Sequence, residues 1–385
     1  MIKMMTAYTL EVDDEQLALE EILEQLKLEE TQLKHSVGIL SCHSDFVDTG
    51  VAQYISDHIP FDVVGCTTIG NSVTGESDMF MLCIAMLTSD DVEFSAGWAP
   101  ALEEDPAAAL KTAVDGARLP QGGKPALAIP FLPTSKTVSS ESVMDALSEA
   151  ISGAPVFGTV ACDSTADSIY SHTLCNGEAS RDSLALLLLW GDVDPAFFVA
   201  HISKDRAQKY KGIITKADGS LLQEINDMPT EDYMASIGIE MKKEIMAGSV
   251  MPLIIDSHDG SQPIALGPYT VTDEGALVCG GRVPVDATLA VGTLEADDIL
   301  QTTEAIIREI LATGKRGGLL MFPCISRFVT MGNELTTEMD IVKNAVGESV
   351  PYLLNYGLGE LCPVYDSTGK VVNKFHNFSF TACVF

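Results

Sequence analysis

Three segments of this chain, Ser36 to Leu87, Ala126 to Gly191 and Gly317 to Phe385, carry the same order of apolar runs and punctuating residues. This internal repeat constrains the fold more than any single motif, because repeated units bury their apolar faces against one another. Each copy opens on a short apolar strand, Val37-Gly-Ile-Leu40, Ala126-Leu-Ala-Ile129 or Gly318-Leu-Leu-Met321. The strand breaks into a polar or proline-bearing loop, Ser41-Cys-His-Ser44, Phe131-Leu-Pro-Thr134 or Phe322-Pro-Cys-Ile-Ser-Arg327. A helix follows over Gly50 to His58, Ser139 to Ile151 and Thr336 to Val346, with Thr337 and Asp340 spaced for a capping box. A proline-led strand comes next, starting at Pro60, Pro155 or Pro351, and a hairpin then leads into a closing apolar strand, Met79 to Leu87, Leu184 to Trp190 or Phe378 to Phe385.

A parallel strand pair with its crossover helix gathers strand-end loops on one edge, where ligands bind in open α/β sheets. Ser41, Cys42, Cys66, Thr67, Thr159, Cys324, Arg327 and Tyr356 fall near such edges. Outside the repeats, Asp14 to Glu30 reads as an amphipathic helix, Glu224 to Met246 mainly as helix, and Leu294 to Thr313 as a long helix stopped by Gly314. Tyr269 to Cys279 reads as a hairpin. Ala200 to Gly219 is locally basic, with Lys204, Arg206, Lys209, Lys211 and Lys216, and marks a boundary. The expected fold class is α/β: two modules of mixed sheets flanked by helices, residues 1–218 and 219–385.

The chain has 385 residues with 23 Lys+Arg against 55 Asp+Glu, a formal charge of -32. Such a negative field repels a phosphate backbone and anionic lipid, so nucleic acid and membrane are not expected partners. The longest apolar run, Leu184 to Trp190, is too short to span a bilayer, and Glu11, Asp13 and Asp14 follow the start too closely for a secretory signal. Nine cysteines without a Cys-x-x-Cys pair point to reduced thiols and a cytoplasmic setting.

Gly65-Cys-Thr-Thr-Ile-Gly70 has the glycine spacing of a phosphate loop but lacks the Lys-Ser/Thr that makes one. The common hydrolase, zinc-protease and dinucleotide signatures do not occur. Polar residues gather instead in the C-terminal repeat: Cys324, Ser326 and Arg327 after one strand, Tyr356 and Glu360 after the next, His376 and Asn377 before the last. Arg327 suits a carboxylate, and Glu360, Tyr356 and Asn377 suit an amino or hydroxyl group, which together describe a small zwitterion such as an amino acid. Two other readings use the same residues. Arg327 and Glu360 can pair to tie two loops, or Cys324, His376 and Glu360 can supply nucleophile, base and orienter for a thiol-dependent hydrolase or transferase. His43 beside Cys42, Asp45 and Asp48 matches no established metal spacing. Haem would need one of His43, His172, His201, His258 or His376, and no haem-attachment motif is present.

Val63-Val-Gly-Cys-Thr-Thr-Ile-Gly70, Pro155-Val-Phe-Gly-Thr-Val-Ala-Cys-Asp163, Met321-Phe-Pro-Cys-Ile-Ser-Arg327, Tyr356-Gly-Leu-Gly-Glu360 and His376-Asn-Phe-Ser-Phe-Thr381 together resemble the FIST family of signal-transduction sensors. The resemblance covers an N-terminal module from about Val37 to Gly219 and a C-terminal one from there to Phe385. It implies a sensory domain for small molecules such as amino acids. It also implies a separate signalling protein, such as a kinase or chemotaxis component, to carry the output, because no residues remain for an output domain. Some relatives bind haem and sense nitric oxide, so a haem-based nitric oxide sensor is an alternative reading that the residues neither support nor exclude; no cofactor is expected from the residues themselves. Asn355-Tyr-Gly-Leu-Gly-Glu360 and Asn377-Phe-Ser-Phe380 depart from the family's usual aromatic-rich turn and Asn-Gln-Thr, so the ligand is expected to differ in detail.

Overall fold

The computed structural model describes residues 1–119, 122–135, 137–165, 168–201, 210–241, 251–261 and 263–385. Among these, three six-stranded mixed sheets and one eight-stranded antiparallel sheet carry the fold. In each mixed sheet a central strand, His35–Cys42, Leu127–Leu132 or Leu319–Pro323, runs parallel to the strand after its crossover helix, Asp62–Thr67, Gly158–Val160 or Tyr352–Asn355. On its other side lies the antiparallel closing strand, Leu82–Ser89, Ser183–Trp190 or Phe380–Val384. An outer strand, Lys3–Thr9, Glu93–Pro100 or Ala196–Ala200, completes that edge.

The remaining two places in each sheet are taken by a hairpin from a different repeat. Hairpin 71–78 pairs with Tyr352–Asn355, hairpin 360–376 with Gly158–Val160, and hairpin 173–180 with Asp62–Thr67. The exchange closes in a ring: the first repeat gives its hairpin to the third, the third to the second, and the second to the first. The open side of each of these parallel strands thereby has its backbone hydrogen bonds met by another unit. Two of the sheets hold strands from both sides of position 218.

Strand alternation explains how the sheets stack. Leu320 and Phe322 enter a core shared by all three sheets, with Ile39 and Phe131 from the other two, whereas Leu319 and Met321 face helices. Both faces are apolar, so these strands read as continuous apolar runs rather than alternating ones. Helices cover the outer faces: Glu15–Leu26 and Val51–His58 on the first sheet, Pro106–Gly116 and Ser140–Ala150 on the second, Ala296–Ala312 and Thr337–Val346 on the third. Gly65, from the failed phosphate-loop motif, is needed for close strand approach. A Cβ there would stand 1.8 Å from the Leu40 carbonyl oxygen.

The eight-stranded sheet lies within 210–291, inserted between the outer strand and first helix of the third repeat, and has its own core. Phe378 joins it to the third repeat by packing with Ala265, Leu294, Ile299 and Met331. Two expected helices differ. The first breaks at Lys27, which adopts a left-handed conformation with φ 50, giving Glu15–Leu26 and Leu28–Thr31. Of 224–246, only Thr230–Ser236 is α-helix among the described residues. Strand Leu221–Ile225 pairs with Met228–Pro229 around Asn226 and Asp227, both at positive φ, the geometry of a two-residue hairpin turn. The expected helix residues 242–246 and the basic residues Lys204, Arg206 and Lys209 lie outside the described residues.

Candidate functional site

All six candidate side chains, Cys324, Arg327, Tyr356, Glu360, His376 and Asn377, are buried, none more than 2% exposed. The fold brings them to where one end of the third sheet meets the hairpin given to the second, and divides them into two groups with different chemistry.

The first group is an ion-pair network. Strand Leu319–Pro323 ends at Cys324, and the short helix Ile325–Thr330 carries Arg327 inward. Its Nε and Nη2 donate to Glu338 Oε1 at 3.0 and 2.6 Å, and Nη2 also reaches Thr303 Oγ1 at 2.9 Å and the Ile299 carbonyl at 3.1 Å. Tyr356 Oη donates to Glu338 Oε2 at 2.9 Å. Burial and then the Glu338 carboxylate push the Tyr356 phenol well above its ordinary range. Arg327 thus pairs with Glu338 on the helix Thr337–Val346 and not with Glu360, which corrects the loop-tying pair expected from sequence.

The second group centres on Glu360. Ser379 Oγ donates to Glu360 Oε2 at 2.7 Å, and Oε1 has no partner. Burial raises this carboxyl well above the carboxylate range, only partly offset by Ser379 and by the Cys324 thiol lying against it. Burial thus favours the neutral form of Glu360. His376 is its cross-strand partner. The His376 Nε2–H donates to the Cys362 carbonyl at 3.0 Å, leaving Nδ1 without a partner, and burial lowers the ring to about 4. Asn377 Oδ1 accepts from the Gly267 N–H at 3.1 Å, whereas its Nδ2 is unpartnered. Tyr269, an exposed residue of the inserted sheet, brings its hydroxyl beside Asn377.

The internal repeat supplies two controls for Glu360. The first residue of each exchanged hairpin is Asn71, Thr173 or Glu360. Each meets a residue at the start of its closing strand: Asn71 Nδ2 donates to the Met81 carbonyl at 2.9 Å, Thr173 bonds Ser183 at 2.7 Å, and Glu360 accepts from Ser379. Asn71 Oδ1 is also met, by Ser41 at 2.6 Å. The two neutral copies are satisfied locally; only the third is ionisable and has an oxygen to spare.

The thiol-chemistry reading loses its premise. Cys324 is 1% exposed, and burial together with Glu360 pushes its thiol up, whereas a nucleophile needs it lowered. His376 is bonded to Cys362 rather than to Cys324. His201 lies with its ring centroid 5.4 Å from that of His376 and both its nitrogens unpartnered. That spacing leaves no room for a porphyrin plane between the rings, so the pair does not offer bis-histidine ligation. His43 sits 3.4 Å from Asp45, and among the described residues no group of three or more His, Cys, Asp and Glu is placed to hold a metal.

The chain matches the FIST N domain over residues 36–228 and the FIST C domain over residues 230–363. It belongs to the FIST family. FIST domains are signal-transduction sensor domains. No curated protein matches the chain. Glu338 and Glu360 fall within the FIST C match, while His376, Asn377 and Ser379 follow it. Among the described residues no helix is long and apolar enough to cross a membrane.

Sequence reasoning missed Glu338, Thr303, Ser379 and Tyr269. Glu338 had a signal, an acid in the first turn of a helix whose neighbours Met339 and Val342 are core residues. Tyr269 had none, because it reaches the site from an insertion.

Proposed function

We propose that this FIST protein senses a small polar ligand at the Glu360 cluster and passes the signal through the inserted sheet. One observation carries the reading: Glu360 Oε1, Asn377 Nδ2 and His376 Nδ1, all on buried side chains, lack partners where hairpin 360–376 meets the third sheet. Orphaned buried polar atoms are costly, and a ligand that meets them recovers that cost. Free amino acids are the first class to test.

The route to an output is short. Asn377 holds the inserted sheet by two bonds, from its own N–H to the Ala265 carbonyl at 3.0 Å and from the Gly267 N–H to its Oδ1. A ligand that engages Asn377 Nδ2 acts on the same side chain that docks the insertion, so binding biases that docking. The output partner is a separate signalling protein such as a kinase or chemotaxis component, and nine unpaired buried thiols suit a reducing cytoplasm.

The test is a thermal-shift screen of amino acids and small amines, followed by hydrogen exchange with the strongest hit. A ligand of the native state raises the midpoint, and exchange slows over residues 264–281. A hit that leaves exchange in that stretch unchanged sinks the transmission route, and a hit unaffected by Asn377→Ala sinks the site.

A further inference from the structure

The candidate side chains are enclosed, yet one residue reaches them from the surface. Tyr269 is 45% exposed, whereas Asn377 is 2% exposed. A Cβ placed on Gly280 would stand 2.9 Å from the Tyr269 hydroxyl and 2.3 Å from Asn377 Oδ1, so the phenol end and the buried amide meet over that glycine. The ring also lies against Gly267, where a Cβ would stand 3.4 Å from Tyr269 Cε1. The two glycines are tied together, the Gly280 N–H donating to the Gly267 carbonyl at 2.8 Å, and the Gly267 N–H holds Asn377 Oδ1. Neither glycine carries a side chain, so the Tyr269 ring supplies cover that the backbone there does not. On the far side of Asn377, its Nδ2 stands 3.4 Å from where a Cβ of Gly359 would be, one residue before Glu360. Tyr269, Asn377 and Glu360 thus form a line from solvent to the buried carboxyl.

The seam along this line is lightly held. The inserted sheet has its own core and meets the third repeat through the small apolar cluster around Phe378. Two ion pairs pin its rim, Arg282 to Asp145 at 2.6 Å and Lys374 to Asp259 at 3.3 Å, and both keep contact with solvent. Small, partly polar interfaces between separately packed units permit relative motion, and exposed ion pairs add little to hold them. On the reading that the Glu360 cluster binds the ligand, we propose that Tyr269 is its gate. The ring swings away from Gly267 and Gly280, and a small solute passes between the inserted sheet and residues 375–378 to Asn377 and Glu360. A half-exposed tyrosine turns about its own side-chain bonds without moving the core, which makes it the cheapest cover to displace.

Cys324 reports the opening. It is 1% exposed, its N–H donates to the Ser379 carbonyl at 2.9 Å, and its thiol lies against Glu360. The experiment alkylates the native full chain with N-ethylmaleimide and follows each thiol by mass spectrometry, in wild type, Tyr269→Ala and Tyr269→Phe. Tyr269→Ala is expected to speed labelling of Cys324 at least about tenfold, with Tyr269→Phe within about twofold of wild type and Cys42, Cys83 and Cys383 unchanged. Asp145→Asn combined with Asp259→Asn loosens the seam without touching the cluster and should speed Cys324 as well. A Cys324 rate unchanged in Tyr269→Ala overturns the gate, and so does a rise shared equally by all nine thiols, which would report unfolding. Labelling needs no ligand, so the two readings separate. If Cys324 responds as expected and no amino acid in the thermal-shift screen depends on Asn377, the gate stands and the binding site falls. If an amino acid binds with dependence on Asn377 but associates equally fast with wild type and Tyr269→Ala, the site stands and the gate falls.

Discussion

Ser379 Oγ donates to Glu360 Oε2 at 2.7 Å while the second oxygen of the same buried carboxyl accepts nothing. This half-met carboxyl makes the stability of the free protein depend on pH. Its proton affinity is raised in the folded state, so the unfolded chain releases the proton first as pH rises. The Glu360 contribution to stability is thus fully present below the ordinary glutamate range and falls as pH climbs through it toward the raised folded value.

Glu360→Gln removes that ionisation and is expected to raise the unfolding midpoint at neutral pH. Thermal melts of both proteins across pH check it; the gain should vanish below about pH 4. A variant less stable than wild type at neutral pH would mean that Glu360 is ionised and paired in the free protein.

His376 works in the other direction. Its folded value is lowered to about 4 from 6.5, chiefly by burial, and that of His201 is lowered to about 3 by burial, then by His376 and Arg327. The unfolded chain takes up protons first as pH falls below 6.5, so stability declines from there toward pH 4. The loss from His376 is on the order of 3 kcal/mol at the lower end. Denaturant unfolding of His376→Gln should show a flatter acid limb than wild type.

Arg327→Ala leaves the Glu338 carboxylate buried without its guanidinium and is expected to destabilise the chain by about 3–5 kcal/mol. Arg327→Met with Glu338→Leu removes both charges and should recover most of that loss. Equilibrium unfolding of the two variants measures the difference; equal losses would show that the network contributes through packing rather than charge.

The hairpin exchange predicts that a fragment ending at 218 does not fold to a cooperative unit. Gly158–Val160 would lose its partner strand Glu360–Tyr365, and hairpin 71–78 would lose Tyr352–Asn355. Near-ultraviolet circular dichroism and a melt of residues 1–218 check this. A sharp transition in the fragment would show that the exchanged pairs are not needed for folding.

All nine thiols are buried and unpaired. Alkylation of the native protein is expected to be slow at every one, Cys324 included, with nine sites reacting after denaturation, as mass spectrometry would count. Fast stoichiometric labelling of Cys324 alone would restore the thiol-chemistry reading.

Much of this was legible from residues in order. Strand and helix positions follow from apolar runs and punctuation: Leu319 to Met321 is a strand, Ile306 and Ile310 share a helix face, and the three repeats show one plan. The gathering of Cys324, Arg327, Tyr356, Glu360, His376 and Asn377 was legible too, because each follows or precedes a strand whose end the repeat places. Asn226 and Asp227 were misread, since helical periodicity on both sides hid a turn that depends on two positive φ angles.

Partners were not legible. That Arg327 would fork onto Glu338 instead of Glu360 depends on how far the helix Thr337–Val346 stands from Ile325–Thr330, a distance that no local pattern encodes. That Tyr269 would border Asn377 depends on where an inserted sheet docks. The sequence by itself determined the elements, their repetition and the residue types at strand ends, because these rest on local periodicity. Tertiary structure alone decided which hairpin completes which sheet and which carboxyl is left unmet, because pairing between distant segments is settled by the burial of whole faces at once.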